Sequence, residues 1–275
     1  MRHYSGTNPN RMASSEFLPL ALRLIAFVGV LYALSCVAAR LVAPGMIFLR
    51  PAPRGPLAAE TIKVPTADGV TLHVRHWKNP EAKFTLLYFS GNYEELGALE
   101  SYLPEYVKAG FSVLTYEYRG YGHTGGTPGE ANCYADAKLL LDWLNREGTP
   151  TERVIVFGFS LGAGSAVELA RTHPVAGLII ESAFTSAYRV MTRWPLLLGD
   201  LFQNERKLRD VRCPVLVLHG TADPVIPSWH GQALFAAARQ PKRLFLVNGG
   251  GHGGLEAVAK DGYWRALRDF AATLK

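Results

Sequence analysis

Apolar and polar positions follow two different rules on either side of residue 60. Before it, Leu24–Ala39 (LIAFVGVLYALSCVAA) runs for sixteen residues without a charge. Phe17–Leu22 and Leu41–Ala43 lengthen this block past twenty residues; Arg23 interrupts it and Arg40 closes it. A spanning helix needs about 20 mostly apolar residues, and arginines near its ends can snorkel to the interface. Residues 18–43 therefore read as a transmembrane signal-anchor that follows a tail of residues 1–17. A cleaved secretory signal is the first alternative, although no clean A-x-A site follows the core. A packed or amphipathic helix of the soluble domain is the second. Residues 44–59 hold four prolines and read as a linker.

After residue 60 short apolar runs alternate with stretches of helical spacing. Thr61–Val64 and Val70–His76 form a hairpin pattern around Ala67-Asp68-Gly69. Phe84–Phe89, Ser112–Tyr118, Val154–Phe157, Val175–Ile180, Val215–Leu218 and Leu244–Val247 read as strands buried on both faces. Helices are expected over Glu94–Lys108, Ala131–Arg146 (apolar stripe Ala135, Leu139, Leu140, Trp143), Leu161–Arg171, Ser228–Ala238 and Leu255–Leu274. The order predicts an α/β domain over residues 60–275, a mostly parallel central sheet with helices on both faces. Residues 184–210 break the rhythm. Six aromatic or leucine residues crowd Trp194–Phe202, which predicts a short helical cap.

Composition narrows the function classes. The 275 residues are 48% hydrophobic and 19% charged, which excludes a disordered chain. Three cysteines with no C-x-x-C pair exclude a disulfide scaffold and a zinc knuckle. Residues 1–59 carry six arginines and one acid, hence +5 of the net +6, leaving +1 for residues 60–275. The basic balance thus flanks the apolar stretch and supports no nucleic-acid partner.

The strongest chemical signal is Gly158-Phe159-Ser160-Leu161-Gly162, which follows the strand VIVF and opens a helix. That context marks a nucleophile elbow. A nucleophile on so sharp a turn adopts a strained backbone, and side chains at the flanking glycines would collide with neighbours. The turn also aims the helix N-terminus and the Leu161 amide at an incoming carbonyl oxygen. In elbow chain order an acid and then a histidine follow the serine. His252 sits in a glycine-rich loop after the last strand, where ligands of parallel sheets bind. Asp223 follows an earlier strand end, stiffened by Pro224 and Pro227. His219, at a strand end, reads as a structural hydrogen-bonder, and His230 as solvent-facing. The loop after FTLLYF supplies a second oxyanion amide at Asn92, with Tyr93 as the alternative. Tyr93, Trp194 and Leu198 are candidate substrate contacts. Two G-x-G-x-x-G matches, at Gly120 and Gly249, lack the βαβ context of a dinucleotide site, and no H-E-x-x-H or Walker loop occurs; no cofactor or metal is expected. Cys133 has no positioned base and reads as buried or a bystander.

With these residues, and with Phe89-Ser-Gly-Asn92, Tyr116–Gly122, Glu181–Thr185 and Cys213–Gly220, the chain resembles the α/β-hydrolase superfamily. More narrowly it resembles membrane-anchored serine hydrolases related to protein depalmitoylases, the prolyl-aminopeptidase-like group. Ser90 stands where that family usually has histidine. The resemblance implies the α/β-hydrolase fold over residues 60–275 and a serine hydrolase acting on esters, thioesters or amides. Esters or thioesters with an apolar acyl group suit the apolar insertion and the nearby membrane, so the expected partners are a small-molecule or acylated substrate and, through residues 18–43, a membrane. A serine peptidase or amidase and a non-catalytic binding protein of the same fold are the alternatives.

Overall fold

The computed structural model describes residues 9–275, with side chains from Pro19 onward; residues 1–8 of the expected tail lie outside the described residues. Helix α1 (Pro9–Ile47) comes first. It runs through the expected anchor and past its boundaries on both sides, so residues 44–47 are helical and only the remainder of the expected linker is irregular. Packing accounts for the C-terminal extension. Ala43 and Phe48 are buried, and the Phe48 ring meets Phe202 edge-on at 6.2 Å. Within α1, Pro19–Ile47 is long and apolar enough to cross a membrane.

The domain then follows the expected alternation. Strands β1 (Ile62–Pro65) and β2 (Thr71–Trp77) form the hairpin, followed by β3 (Thr85–Phe89). Helices α2 (Leu96–Leu99) and α3 (Leu103–Lys108) replace the single helix expected over Glu94–Lys108. Glu95 caps the first by accepting from the amides of Gly97 and Ala98, and Pro104 starts the second, so two separate N-termini fall within one periodic stretch. Strand β4 (Ser112–Tyr116), helix α4 (Glu130–Arg146), β5 (Val154–Phe159), α5 (Gly162–Thr172) and β6 (Gly177–Glu181) follow. Next come α6 (Asn204–Leu208), β7 (Val215–Gly220), α7 (Trp229–Ala237) and β8 (Lys242–Val247). The C-terminal helix is also divided, into α8 (Leu255–Ala259) and α9 (Asp261–Ala272), by Lys260 at a φ of 49°.

The eight strands lie in the order β1-β2-β4-β3-β5-β6-β7-β8; β2 runs antiparallel to both neighbours and all other pairs are parallel. Alternation within each strand divides the core into two layers. Leu87 and Phe89 of β3 face α4, α5 and α7, whereas Leu86 and Tyr88 face α2, α3, α8 and α9. On α4 the buried apolar residues are Cys133, Ala137, Leu140, Leu141 and Leu144, so of the expected stripe only Leu140 is fully buried. Ala135 is exposed and Leu139 and Trp143 are half-buried. Asp136 turns the helix this way: it lies buried and takes a bidentate ion pair from Arg119, at 2.7 Å to the guanidinium Nη2. A buried charge is tolerated only when so paired.

The insertion at 184–210 holds one short 3-10 turn, Tyr188–Val190, and ends in α6. Its crowded apolar residues have different fates. Leu201 and Phe202 enter the core, while Trp194, Leu196 and Leu198 stay exposed.

Candidate active site

The tight turn between β5 and α5 is built by exclusion. A Cβ at Gly158 would stand 2.5 Å from the Ala163 Cα, and one at Gly162 would overlap the Phe89 carbonyl. With both positions bare, the chain folds back and Ser160 takes a φ of 51°, a left-handed conformation that a serine adopts only when its surroundings impose it. Its amide is tied to the carbonyl of Glu181 on the adjacent strand at 2.9 Å.

Three side chains from distant parts of the chain meet here. Ser160 Oγ lies 3.0 Å from His252 Nε2, and His252 Nδ1 lies 2.8 Å from Asp223 Oδ2. The other carboxylate oxygen of Asp223 accepts from the amides of Val225 and Ile226, each at 2.8 Å. Burial pushes the Asp223 carboxyl up, but the bond from His252 and those from Ile226 and Val225 outweigh it and hold the group below its ordinary value. The acid is therefore an anion fixed at one oxygen and offering the other to the imidazole. With Nδ1–H donating to Asp223, Nε2 is the free lone pair that faces the serine.

His219 is the structural group that its position at a strand end implies. It is buried, its Nε2 donates to the Ile226 carbonyl at 2.8 Å, and burial holds it neutral. His230 departs from expectation: it is fully buried rather than solvent-facing. It stacks on Trp229 with centroids 3.6 Å apart, and its Nδ1 accepts from the Thr185 amide. Burial pushes its pKa down to about 4, so it is a neutral structural group. Cys133 is buried, and desolvation pushes its thiol far up.

Asn92 and Leu161 both line the cavity above Ser160. Among the hydrogen bonds of the described residues, neither backbone amide donates to another protein group. The loop carrying Asn92 is held by residues not singled out from the sequence. Glu94 accepts from the Gly91 amide at 2.7 Å, Tyr118 donates to the Ser90 carbonyl at 2.9 Å, and Tyr121 donates to the Asn92 carbonyl at 3.1 Å. Both tyrosines belong to Tyr116–Gly122, one of the stretches that carry the resemblance, but their roles are legible only in the fold.

The cavity over Ser160 has a volume of about 550 Å³, within the usual range for small-molecule sites. The expected substrate contacts do not form it. Tyr93, Trp194 and Leu198 are 61%, 65% and 69% exposed and none of them lines it. Among the described residues its walls are Phe184, the Ala187–Thr192 segment apart from Arg189, Leu197, Val225 and Ile226 on one side, and α1 on the other. No acidic side chain lines it among the described residues.

This parallel sheet with a strained serine at its central strand–helix turn is the architecture of an α/β-hydrolase. Residues 80–206 match the family profile described as Serine aminopeptidase, S33. The chain is 36% identical over 200 residues to Alpha/beta hydrolase domain-containing protein 17B of Homo sapiens, covering 70% of this chain and 68% of that one. A Xenopus laevis protein of the same name is 36% identical over 199 residues, with the same coverage. Among solved structures, the Pyrococcus furiosus esterase Pf2001 superposes with a TM-score of 0.67 at 17% identity, covering 82% of this chain and 98% of that one. The esterase RhEst1 from Rhodococcus sp. superposes with a TM-score of 0.61 at 18% identity, covering 78% and 100%. The chain belongs to the family of the alpha/beta hydrolase domain-containing protein 17 relatives, within the α/β-hydrolases, and is a hydrolase.

Proposed function

We propose that this protein is a membrane-anchored serine hydrolase that cleaves carboxylic esters or thioesters through an acyl-enzyme. The observation that carries the reading is the chain of contacts from Ser160 Oγ to His252 Nε2, 3.0 Å, and from His252 Nδ1 to Asp223, 2.8 Å, at the floor of an open cavity. His252 takes the hydroxyl proton as Ser160 Oγ attacks the acyl carbonyl. Asp223, already ionised, stabilises the imidazolium that forms and holds the ring in the tautomer that presents Nε2. The amides of Asn92 and Leu161 donate to the tetrahedral oxyanion, the second of them at the N-terminus of α5. Collapse expels the alcohol or thiol, which takes the proton from His252. Water then repeats the sequence on the acyl-serine, releasing the acid and restoring the hydroxyl.

The apolar walls favour an apolar acyl group, because burying each methylene contributes about 0.8 kcal/mol. They also weigh against the aminopeptidase chemistry named for the matched profile. A free amino terminus is a cation, and the cavity offers it no carboxylate among the described residues. Residues 18–43, which overlap the long apolar part of α1 from Pro19 onward, hold the enzyme at the membrane. A fluorophosphonate probe followed by a panel of p-nitrophenyl esters and aminoacyl anilides tests the assignment. Labelling at Ser160 with ester turnover supports it. Anilide turnover above ester turnover would replace it with a peptidase, and no labelling would point to a binding protein.

A further inference from the structure

The cavity wall contributed by α1 consists of Ala39, Val42, Ala43, Met46 and Ile47. Their spacing, i, i+3, i+4, i+7, i+8, is one face of an α-helix. The same helix contains the uncharged run Leu24–Ala39, which ends where Arg40 begins. A charge marks where a spanning helix leaves the hydrocarbon. From Ala39 to Met46 the helix rises only about 10 Å at 1.5 Å per residue. The polar layer of one leaflet is about 5–7 Å thick. The cavity is therefore level with the membrane surface.

The opposite wall continues outward in the same way. Met191 lines the cavity and is exposed, and beside it Trp194, Leu196 and Leu198 are exposed too, as are Val42 and Met46 across the mouth. A contiguous exposed apolar surface needs a covering partner, and tryptophan favours the bilayer interface. Here the partner is set by continuity: the rim on one side is the membrane helix itself.

We propose that the cavity opens onto the bilayer and takes the acyl chain of its substrate from the lipid leaflet, with α1 as the wall that selects chain length. This rests on the hydrolase and anchor readings above. It assigns Ala39, Val42, Ala43 and Met46 to acyl recognition and Trp194, Leu196 and Leu198 to the lipid surface. The three exposed residues thus contact lipid rather than substrate.

The test uses the full chain in phosphatidylcholine vesicles. With brominated acyl chains, part of the tryptophan fluorescence should be quenched, and Trp194→Phe should remove that part; Trp77, Trp143, Trp229 and Trp264 remain. In the same vesicles, Ala39→Trp or Val42→Trp should lower the ratio of kcat/KM for p-nitrophenyl palmitate over acetate at least tenfold. Leu34→Trp, on the opposite face of α1, should leave the ratio unchanged. A palmitoyl thioester embedded in the vesicle should be cleaved faster than palmitoyl-coenzyme A supplied in water. Absence of a quenched component, or quenching that survives Trp194→Phe, overturns the proposal, and so do an unchanged ratio or a preference for the water-borne donor. Quenching is independent of catalysis. A chain that fails to hydrolyse any ester or to react with a fluorophosphonate sinks the hydrolase reading instead.

Discussion

The Ser160 amide donates to the Glu181 carbonyl at 2.9 Å, so the tip of the elbow hangs from the last residue of β6. The side chain of that residue is buried beneath the site. It accepts from Tyr263 Oη at 2.6 Å, and Tyr263 Oη lies 2.6 Å from Tyr106 Oη. Burial pushes the Glu181 carboxyl up to about 8, against an ordinary value of 4.5, with the Tyr263 bond pulling the other way. The backbone that strains the serine and the acid that prefers to be neutral belong to one residue.

A pH dependence of stability follows. Because the folded value is raised, the folded state keeps a proton that the unfolded chain releases. The stabilisation is full below about pH 4.5 and is lost as pH rises through about 8. A tenfold difference in proton affinity between the folded and unfolded states corresponds to about 1.4 kcal/mol, so the loss is on the order of a few kcal/mol at most. Glu181→Gln should flatten the fall in Tm between pH 5 and 8.5, and its Tm should match or exceed the parent's at pH 8.5. Parallel curves for the two proteins would show that the carboxyl titrates elsewhere.

Ser160→Ala removes the proposed nucleophile and keeps a small side chain at the strained turn. Ester turnover should fall by about 10⁴–10⁶ and fluorophosphonate labelling should vanish, with an unchanged circular dichroism spectrum. Near-full activity on p-nitrophenyl esters would dismiss the mechanism.

The proposed acid and base should not be equal. His252→Ala leaves the hydroxyl with no acceptor and should approach the serine variant, near 10⁶. Asp223→Asn keeps an oxygen for the Val225 and Ile226 amides but loses the anion, and should cost about 10⁴. Steady-state kcat on one ester ranks the variants. A fully active His252→Ala enzyme would require another base, and neither His219 nor His230, both buried and bonded elsewhere, is placed to act.

The full chain should remain in the membrane fraction through carbonate and high-salt washes, since an inserted helix does not depend on charge screening. Removal of residues 1–43 should release the domain but take Ala39, Val42 and Ala43 out of the cavity wall. Its preference for long acyl chains should fall with them. Fractionation and a chain-length series measure both. Full-length protein recovered as soluble, with its N-terminus intact, would end the anchor assignment.

Much of the fold is legible in the sequence because it is local. Strands such as FTLLYF carry their burial in their own composition, and the glycines at 158 and 162 announce a turn that no side chain could enter. Chain order together with a loop position just after a strand end singles out Asp223 and His252, which the fold brings within 2.8 Å of each other. What stays hidden depends on partners far away in sequence. The buried face of α4 is set by Arg119 reaching Asp136. His230 is enclosed by Trp229 and Thr185. Trp194, Leu198 and Phe202 are alike as apolar residues, yet only Phe202 meets the core, pressed against Gly164 and Phe48. Hydrophobicity identifies residues that shun water and is silent on whether protein, substrate or lipid replaces it.

Helix α1 closes one side of the cavity and, on the anchor assignment proposed above, also enters the bilayer. A segment with both duties ties address to appetite. Any change that tilts or shifts the helix in a thicker or thinner bilayer would move Val42 and Met46 relative to Ser160. Membrane thickness then becomes an input to the reaction, and the same polypeptide in two compartments of different lipid composition would act as two enzymes with different tastes in chain length.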